Sequence, residues 1–395
     1  MKKHFIFWAV LAIAISCNTV NGQFQKVFQV NNNVYALANN GSYVYAGTGG
    51  SGLFRSPDNG DTWESMSNGI PAWYYFSLLS IHDTIYAGSF GYVYFSANNG
   101  TAWTSLNLGL DMNDYVYALA IKGQYIYAGV RAKGVYACPV GTTSWTPSSV
   151  GLPAGSTIND LIVIGNDIYA ATGSGVYKST NSAASWNSLN NGIPAGVEVN
   201  KFFYLTVSNL LFAGTSANVY LSSDLGQTWT ISASGMPGTN NIRSFTSLND
   251  TLYAGTYAGL FASSDFGDNW FSFDNGIPAG ISVISMTSTA ASAFAGTGGS
   301  IFRGPGAPLT VQPLHSDKFR VFPSSAHGSE YLTIEIPDAS NEPVIIIYDI
   351  CGKEIRSEAL NQKKTIIDLS SFEKGLYLVR LRSNGNEQVR KFIKS

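Results

Sequence analysis

Short apolar segments separated by glycine-rich or Asp/Asn turns recur along most of this 395-residue chain. Each repeat contains an Ala-Gly-Thr-like tripeptide that follows an aromatic or aliphatic pair such as Val44-Tyr45. A second apolar segment lies twelve residues before each alanine, and a third follows the turn after the tripeptide. The seven tripeptides begin at Ala46, Ala87, Ala128, Ala170, Ala213, Ala254 and Ala295. A regular period of this kind indicates a repeat architecture.

An octapeptide, seen in its fullest form at 263–270, repeats with the same period. It recurs at 56–63, 96–103, 179–186 and 222–229, and only its tryptophan survives at Trp145. The successive tryptophans are 40, 42, 41, 43 and 41 residues apart. Within the octapeptide an Asp such as Asp224 can accept backbone N–H groups of its own turn, and Gly226 can adopt a positive φ. The tryptophan then buries a large apolar surface.

This octapeptide resembles the Asp-box, or BNR repeat, of β-propeller blades. Five copies carry the resemblance, although Asn98 and Asn181 replace the Asp and Ala183 replaces the Gly. The resemblance implies a structural role, far from any active face, for one set of residues. That set is Asp58, Trp63, Trp103, Trp186, Asp224, Trp229, Asp265 and Trp270.

Four predicted strands per repeat correspond to one propeller blade. The seventh repeat lacks its tryptophan strand, because Arg303-Gly304-Pro305-Gly306 stands where the octapeptide would be. Residues 23–30 read as a strand that can complete this last blade and remove the open sheet edges. The sequence therefore predicts an all-β fold, with a seven-bladed β-propeller over 23–307 that is closed by the N-terminal strand.

The first 22 residues have the pattern of a secretory signal peptide. Lys2 and Lys3 precede an apolar run at 5–15 that is too short for a mature membrane anchor. We expect cleavage before Gln23. A lipobox-like sequence at 14–17, which would acylate Cys17, is the alternative.

The periodicity ends near a predicted linker at 309–312, and residues 308–395 form a second predicted domain. Short strands at 319–323, 331–336, 344–349, 365–369, 375–382 and 388–393 indicate a small immunoglobulin-like β-sandwich. Four blocks, at 347–353, 367–370, 375–379 and 391–394, resemble the C-terminal sorting domain of the type IX secretion system of Bacteroidota. The matching residues include Gly352, Lys353, Gly375, Tyr377 and Lys391.

That resemblance implies export through the periplasm, with the type IX secretion machinery as partner and a secreted or cell-surface product. Phe322-Pro323-Ser324-Ser325 departs from the Tyr-Pro-Asn-Pro that is usual in the family. An ordinary immunoglobulin-like module is the alternative interpretation.

Composition excludes several classes of function. Only 12% of the residues are charged, and residues 23–307 contain nine Lys or Arg against 14 Asp or Glu. This balance lacks the excess of positive charge that is typical of nucleic-acid-binding proteins. Cys138 and Cys351 alone remain after processing, so we expect no disulfide framework. There is no phosphate-binding loop and no metal-spaced Cys/His set, and His82 is the one propeller histidine. We expect no metal, no cofactor, no nucleic-acid partner and no transmembrane segment in the mature chain.

Two functions remain. The first is a secreted, non-catalytic propeller that binds a glycan or a protein ligand. The alternative is a carbohydrate-active hydrolase, sialidase-like or xyloglucanase-like, which needs two facing carboxylates. Asp114, Asp160 and Glu198 are its candidate catalytic residues.

The candidate ligand site comprises the positions that break the repeat. The second residue of the innermost strands runs Tyr35, Phe76, Tyr117, Asn159, Phe202, Arg243, Ile284, and the third runs Ala36, Ser77, Ala118, Asp160, Phe203, Ser244, Ser285. At these two positions a few polar or charged residues replace the usual apolar or small ones, and nearby turns contain unusual residues. Together they predict a ligand site at Trp73, Tyr74, Asp114, Arg131, Lys133, Asn159, Asp160, Glu198 and Arg243. The alternative is that Asp160 and Arg243 form a satisfied buried pair while Trp73 caps its blade.

Overall fold

The computed structural model describes residues 23–206, 208–238, 240–249, 251–304, 320–322, 325–326, 331–336, 343–349, 353–373, 375–383 and 386–394. The predicted signal peptide with Cys17, the predicted linker at 309–312, and the sorting-motif residue Gly352 lie outside the described residues.

All regular structure in these ranges is β-strand. The first half of the repeat region contains β1 (Gln25–Gln29), β2 (Val34–Asn39), β3 (Val44–Thr48), β4 (Leu53–Ser56), β5 (Glu64–Ser65), β6 (Ser77–Ile81), β7 (Thr84–Gly88), β8 (Val93–Ser96), β9 (Thr104–Leu106), β10 (Val116–Lys122), β11 (Tyr125–Val130), β12 (Gly134–Pro139) and β13 (Thr146–Pro147). The second half contains β14 (Ile158–Ile164), β15 (Asp167–Thr172), β16 (Gly175–Ser179), β17 (Asn187–Ser188), β18 (Val199–Leu205), β19 (Leu210–Thr215), β20 (Val219–Ser222), β21 (Thr230–Ile231), β22 (Ile242–Leu248), β23 (Thr251–Thr256), β24 (Gly259–Ser263), β25 (Phe271–Ser272), β26 (Val283–Ser288), β27 (Ala293–Thr297) and β28 (Ser300–Gly304).

These 28 strands form seven four-stranded antiparallel sheets. Six sheets each contain four consecutive strands, from β2–β5 to β22–β25, and the seventh has the order β1-β28-β27-β26. The innermost strands β2, β6, β10, β14, β18, β22 and β26 each contact the next, and β26 contacts β2. The ring is therefore closed, and the N-terminal strand completes the last sheet as predicted. The predicted all-β propeller fold is confirmed, and the ring contains seven sheets.

The second strand of each sheet is buried on both faces, which explains the Ala-Gly-Thr tripeptide. All five residues of β3 are buried. A Cβ added at Gly88, the glycine of the second repeat, would lie 2.8 Å from the backbone oxygen of Val116 in the next sheet. Glycine therefore allows neighbouring sheets to approach closely. The threonine closes the following turn, since Thr48 Oγ1 donates to Gly52 O at 2.7 Å.

The octapeptide forms the turn between the third and fourth strands. The backbone N–H of Thr228 donates to Asp224 Oδ1 at 2.9 Å, and that of Gly226 donates to Ser222 Oγ at 2.7 Å. Leu225 and Gly226 have φ values of 55° and 85°, so two successive residues adopt the left-handed conformation. The predicted use of the Asp and the Gly in the turn matches this geometry.

The tryptophan of each octapeptide links its sheet to the preceding one. Trp229 is only 3% exposed, and its Nε1 donates to Leu189 O at 2.8 Å. Equivalent bonds join Trp103 to Met66 O, Trp145 to Leu106 O, Trp186 to Ser148 O, and Trp270 to Ser232 O. These contacts are repeated at five of the seven junctions of the ring.

The two junctions of the seventh sheet differ. Phe24 occupies the tryptophan position of the seventh sheet, because its N–H donates to Asn275 O at 2.8 Å, as Trp270 N–H does to Ser234 O at 2.8 Å. Strand β1 has a register shift between Lys26 and Phe28. In the adjoining sheet, Trp63 stacks on Phe28 with ring centroids 5.2 Å apart, but its buried Nε1 has no hydrogen-bond partner in the part of the chain that the structure describes.

The C-terminal strands are β29 (Arg320–Phe322), β30 (Ser325–Ala326), β31 (Tyr331–Glu335), β32 (Val344–Asp349), β33 (Glu354–Ala359), β34 (Lys364–Asp368), β35 (Gly375–Ser383) and β36 (Asn386–Lys394). A three-stranded sheet has the order β29-β31-β34 and a five-stranded sheet has the order β30-β36-β35-β32-β33. Residues of both sheets, such as Ile334 and Ile347, share one hydrophobic core. The predicted small sandwich is confirmed, and the sequence missed β30 and β33.

Candidate ligand-binding face

The antiparallel topology gives the propeller two different faces. The start of each innermost strand lies beside the connection between the second and third strands of a sheet. For example, Gly91 N–H donates to Asp114 O at 2.6 Å and Arg131 N–H donates to Tyr115 O at 3.0 Å. We call this side the upper face. The Asp/Trp turns follow the opposite end of each third strand and therefore lie on the lower face. All nine sequence-predicted site residues lie on or next to the upper face.

One alignment of the innermost strands was wrong. Val199 pairs with Thr215, 16 residues later, whereas Val116 pairs with Val130 and Ile158 with Thr172, both 14 residues later. Each arm of the β18–β19 hairpin is thus one residue longer, and counting back twelve residues from the alanine misplaces the strand. The second residue of this innermost strand is therefore Asn200 instead of Phe202, and the third is Lys201 instead of Phe203. We call these equivalent positions around the ring the second and third columns.

The corrected third column explains Asp160. Lys201 Nζ lies 2.8 Å from Asp160 Oδ1, and Phe202 N–H donates to Asp160 Oδ2 at 2.9 Å. Other members of this column also connect adjacent sheets, since Ser77 Oγ donates to Val116 O at 3.0 Å. Asp160 is therefore buried and paired, as the alternative interpretation held, but its partner is Lys201. The expected pair between Asp160 and Arg243 is not present.

Arg243 instead lies over an aromatic ring. Its Cζ is 5.3 Å from the centroid of the half-exposed Tyr257, and the Cζ of Arg131 is 5.0 Å from the centroid of Tyr115. Such contacts between a cation and a ring face are favourable. They hold both guanidinium groups at the upper face without a carboxylate.

Lys133 joins two acidic residues at the same face. Its Nζ lies 2.5 Å from Asp111 Oδ2 and 2.7 Å from Asp114 Oδ1. Asp114 is buried, and its other carboxylate oxygen accepts the N–H of Asp111 at 2.8 Å. The hydrogen bonds that the Lys133 ammonium donates to Asp111 and Asp114 raise its pKa. An open cleft of about 650 Å³ is lined by these three residues and by Tyr115 and Arg131.

Asn159 and Glu198 are brought together as well. Asn159 Nδ2 donates to Glu198 Oε1 at 3.0 Å and to Val199 O at 2.9 Å. Next to them, Asn200 Nδ2 donates to Asn241 Oδ1 at 3.0 Å. This side of the channel mouth is therefore lined by amides and paired charges.

The opposite side is aromatic. Six rings contact one another through centroid distances of 4.6 to 6.3 Å, and we call them the aromatic cluster: Tyr35, Tyr74, Phe76, Phe90, Tyr115 and Tyr117. Tyr74 is 42% exposed at the surface of this cluster. Trp73 is 36% exposed and contacts Tyr92, with ring centroids 5.6 Å apart.

Sequence reasoning missed several residues of this face, namely Phe90, Tyr115, Asn200, Lys201 and Tyr257. The run Tyr74-Tyr75-Phe76 and the alternation Tyr115-Val116-Tyr117 were available signals for the aromatic cluster. Lys201 could not be found by counting from the alanine, because the longer hairpin changes the register.

Residues 320–395 match the family described as Secretion system C-terminal sorting domain. No curated protein matches the chain. Because the family match covers the C-terminal strands alone, it characterises that part of the chain.

Several solved structures are similar in fold. The extracellular domain of the one-component system BT4673 from B. thetaiotaomicron has a TM-score of 0.58 at 14% identity, over 94% of this chain and 59% of that chain. YCF48 from Cyanidioschyzon merolae has a TM-score of 0.57 at 10% identity, over 73% of this chain and 100% of that chain. PorZ, a surface component of the type-IX secretion system of Porphyromonas gingivalis, has a TM-score of 0.54 at 12% identity, over 92% of this chain and 59% of that chain. Identities this low establish the fold alone.

In the described ranges, no helix is long and apolar enough to cross a membrane.

Proposed function

We propose that this protein is a secreted or cell-surface, non-catalytic β-propeller that binds a glycan or a protein ligand on its upper face. The observation that carries the proposal is the exposed pair Trp73 and Tyr74 on the aromatic side of the channel mouth, opposite its polar side. Aromatic rings stack on sugar rings or apolar peptide side chains, and convergent amides and charges provide orientation.

Export is the second part of the proposal. The match of residues 320–395 to a sorting domain implies handling by the type IX secretion system. We propose that residues 1–22 are a signal peptide for entry into the periplasm, that 23–307 are the functional propeller, and that 308–395 are the sorting domain that directs export. We also propose that the lower-face turns are Asp-boxes, because Ser222, Asp224 and Gly226 form one hydrogen-bonded unit.

The contacts of the candidate acids favour binding over hydrolysis. Both oxygens of Asp160 are engaged, by Lys201 and by the Phe202 N–H, and both oxygens of Asp114 are engaged, by Lys133 and by the Asp111 N–H. A glycosidase needs one carboxyl group that donates a proton and a second that acts as nucleophile or base. Glu198, whose Oε1 accepts a bond from Asn159, is exposed at the rim.

A glycan-array screen of the secreted protein, paired with hydrolysis assays on every hit, tests this function. We expect binding without turnover, and we expect Trp73→Ala to weaken binding by about tenfold, the range of one stacked aromatic contact. Trp103→Phe is the matched control, because Trp103 lies in a lower-face turn and bonds to Met66 O.

Turnover of a bound glycan would refute the non-catalytic assignment. If Trp73→Ala and Tyr74→Ala both bind every hit as tightly as the unaltered protein, the upper face is not the binding face.

A further inference from the structure

The two arginines at the channel mouth differ from the other arginines of the propeller. Arg55 is paired with Glu64 at 2.6 Å, and Arg303 is paired with Asp61 at 2.6 Å. In the described part of the propeller, neither Arg131 nor Arg243 forms an ion pair. Each lies over a tyrosine ring instead. Two guanidinium groups are thus held in place with no carboxylate bound to them.

Both groups approach the same hydroxyl. Tyr117 and Arg243 belong to the second column, three sheets apart around the ring, and Arg131 follows the strand that pairs with the strand of Tyr117. Burial raises the pKa of the Tyr117 phenol, and the charge of Arg131, the charge of Arg243 and a hydrogen bond with the Arg131 side chain oppose that rise. The two guanidinium groups therefore lie within electrostatic reach of Tyr117 from different sheets.

The nearby acids do not neutralise this pair by contact. Asp111 and Asp114 are bound to Lys133, and Asp160 is bound to Lys201. A guanidinium group carries five N–H donors, so Arg131, which also hydrogen-bonds to Tyr117, keeps donors for a carboxylate. Two parallel hydrogen bonds are the favoured geometry of such a contact.

Unused hydrogen-bonding groups lie next to Arg243 in the chain. Asn240 is 1% exposed, and among the described residues neither its Nδ2 nor the buried Ser244 Oγ has a hydrogen-bond partner. The equivalent serines Ser77 and Ser285 both donate to a backbone carbonyl of the neighbouring sheet. Buried polar groups without partners are rare, and they mark this segment of the upper face as suited to a ligand rich in oxygen atoms.

We propose that Arg131 and Arg243 bind the carboxylate of a uronate residue, so that the ligand of the upper face is an acidic glycan. This inference rests on the proposed function and narrows it. A uronate combines a planar carboxylate for the guanidinium groups with a pyranose ring for Trp73 and Tyr74. An acidic peptide would satisfy the arginines but supplies no sugar ring for the exposed aromatic pair.

The experiment measures binding of the secreted protein to a panel of galacturonate, mannuronate and glucuronate oligosaccharides by titration calorimetry. Each acid is paired with its methyl ester, which has the same ring and no charge. We expect at least one acid to bind about tenfold or more tightly than its ester, as for a charged hydrogen-bonded contact. We expect Arg131→Gln and Arg243→Gln to abolish that preference, and Arg243→Lys to retain part of it.

Arg303→Gln is the matched control, because it removes the same charge from the lower face, where Arg303 also contacts Asn59 O. Near-ultraviolet circular dichroism establishes that each variant is folded. Equal binding of acid and ester, with binding still lost in Trp73→Ala, overturns the uronate assignment and leaves the proposed function standing. Equal or tighter binding of an oligoglutamate overturns it in favour of a protein ligand. Failure of every uronate to bind also overturns it.

Discussion

Lys201 and Asp160 form a 2.8 Å ion pair between the innermost strands of two neighbouring sheets. The Asp160 side chain is 10% exposed and that of Lys201 is 40% exposed, so the pair lies at the boundary of the core. Its role is to tie two sheets together beside the channel, where Asp160 also holds the N–H of Phe202.

We predict that Asp160→Asn destabilises the protein. The substitution leaves Lys201 unpaired, and since Lys201 is partly exposed we expect a loss of about 1–3 kcal/mol, below the value for a fully buried pair. Denaturant unfolding measures the loss. In a double-mutant cycle with Lys201→Gln, we expect the double variant to lose less than the sum of the single losses. Strict additivity would show that the pair contributes nothing.

The tryptophan of the lower-face turn is predicted to be a main source of stability. Trp229 is buried, and its Nε1 donates to Leu189 O. Trp229→Ala should cost about 3–5 kcal/mol, as for other buried aromatic residues. A measured loss below about 1 kcal/mol would contradict the role of this residue as the anchor of the repeat.

A matched pair isolates the hydrogen bond from the packing. Trp229→Phe removes a bonded Nε1 and leaves Leu189 O without its donor, whereas Trp63→Phe removes an Nε1 that has no partner. We expect Trp229→Phe to cost about 1–3 kcal/mol more than Trp63→Phe. Equal costs would show that the bond is not a net source of stability.

The ring should depend on Phe24. This residue is 2% exposed and contacts the rings of Tyr253 and Phe273 at centroid distances of 6.3 and 6.2 Å. Phe24→Ala is expected to cost about 3–5 kcal/mol, because it opens a cavity at the closing junction. Gln23→Ala, at the exposed neighbouring position, is the control. Similar melting temperatures for the two variants would mean that closure does not depend on this side chain.

Acid should weaken one of the lower-face turns. The Thr62 hydroxyl and N–H donate to Asp58 and lower the pKa of its carboxyl group. The folded pKa is thus below the unfolded value of about 3.9, so the stabilisation is present above about pH 4 and is lost as the pH falls through the folded pKa.

Melting temperatures of Asp58→Asn at several pH values provide the measurement. The variant should melt below the unaltered protein at neutral pH, and the difference should shrink below about pH 4. Trp229→Phe changes no titrating group, so its melting temperature should stay below that of the unaltered protein by an amount that does not shrink below about pH 4. A difference for Asp58→Asn that stays constant down to pH 2 would refute the role of the charge.

Processing provides a last prediction. The secreted protein should begin at Gln23 and end near residue 310, because we propose a signal peptide before the propeller and a cleaved sorting domain after it. Intact mass spectrometry of the culture medium measures both ends. An acylated Cys17, or a product that keeps residues 320–395, would contradict the proposed processing.

The residues themselves determined the repeat, the strand order within a sheet, and the closing role of the N-terminal strand. These features depend on local chemistry: a Ser-x-Asp turn, a left-handed glycine such as Gly226, and apolar segments at a constant spacing. Because each repeat uses the same local contacts, its pattern is visible in one dimension. The upper-face positions Trp73 and Arg243 were also recognisable, since they break that pattern.

Only the tertiary structure decided which of these residues meet. The longer β18–β19 hairpin moved Lys201 beside Asp160, and that change of register could not be read from a count based on Ala213. The substitution of Phe24 for the missing tryptophan depends on contacts between residues far apart in the chain. The aromatic cluster and the positions of Arg131 and Arg243 over tyrosine rings likewise arise because the closed ring brings the ends of separate sheets to one face. The sequence can mark such residues as unusual, but it does not show which of them touch, since that geometry is set by the packing of the whole ring.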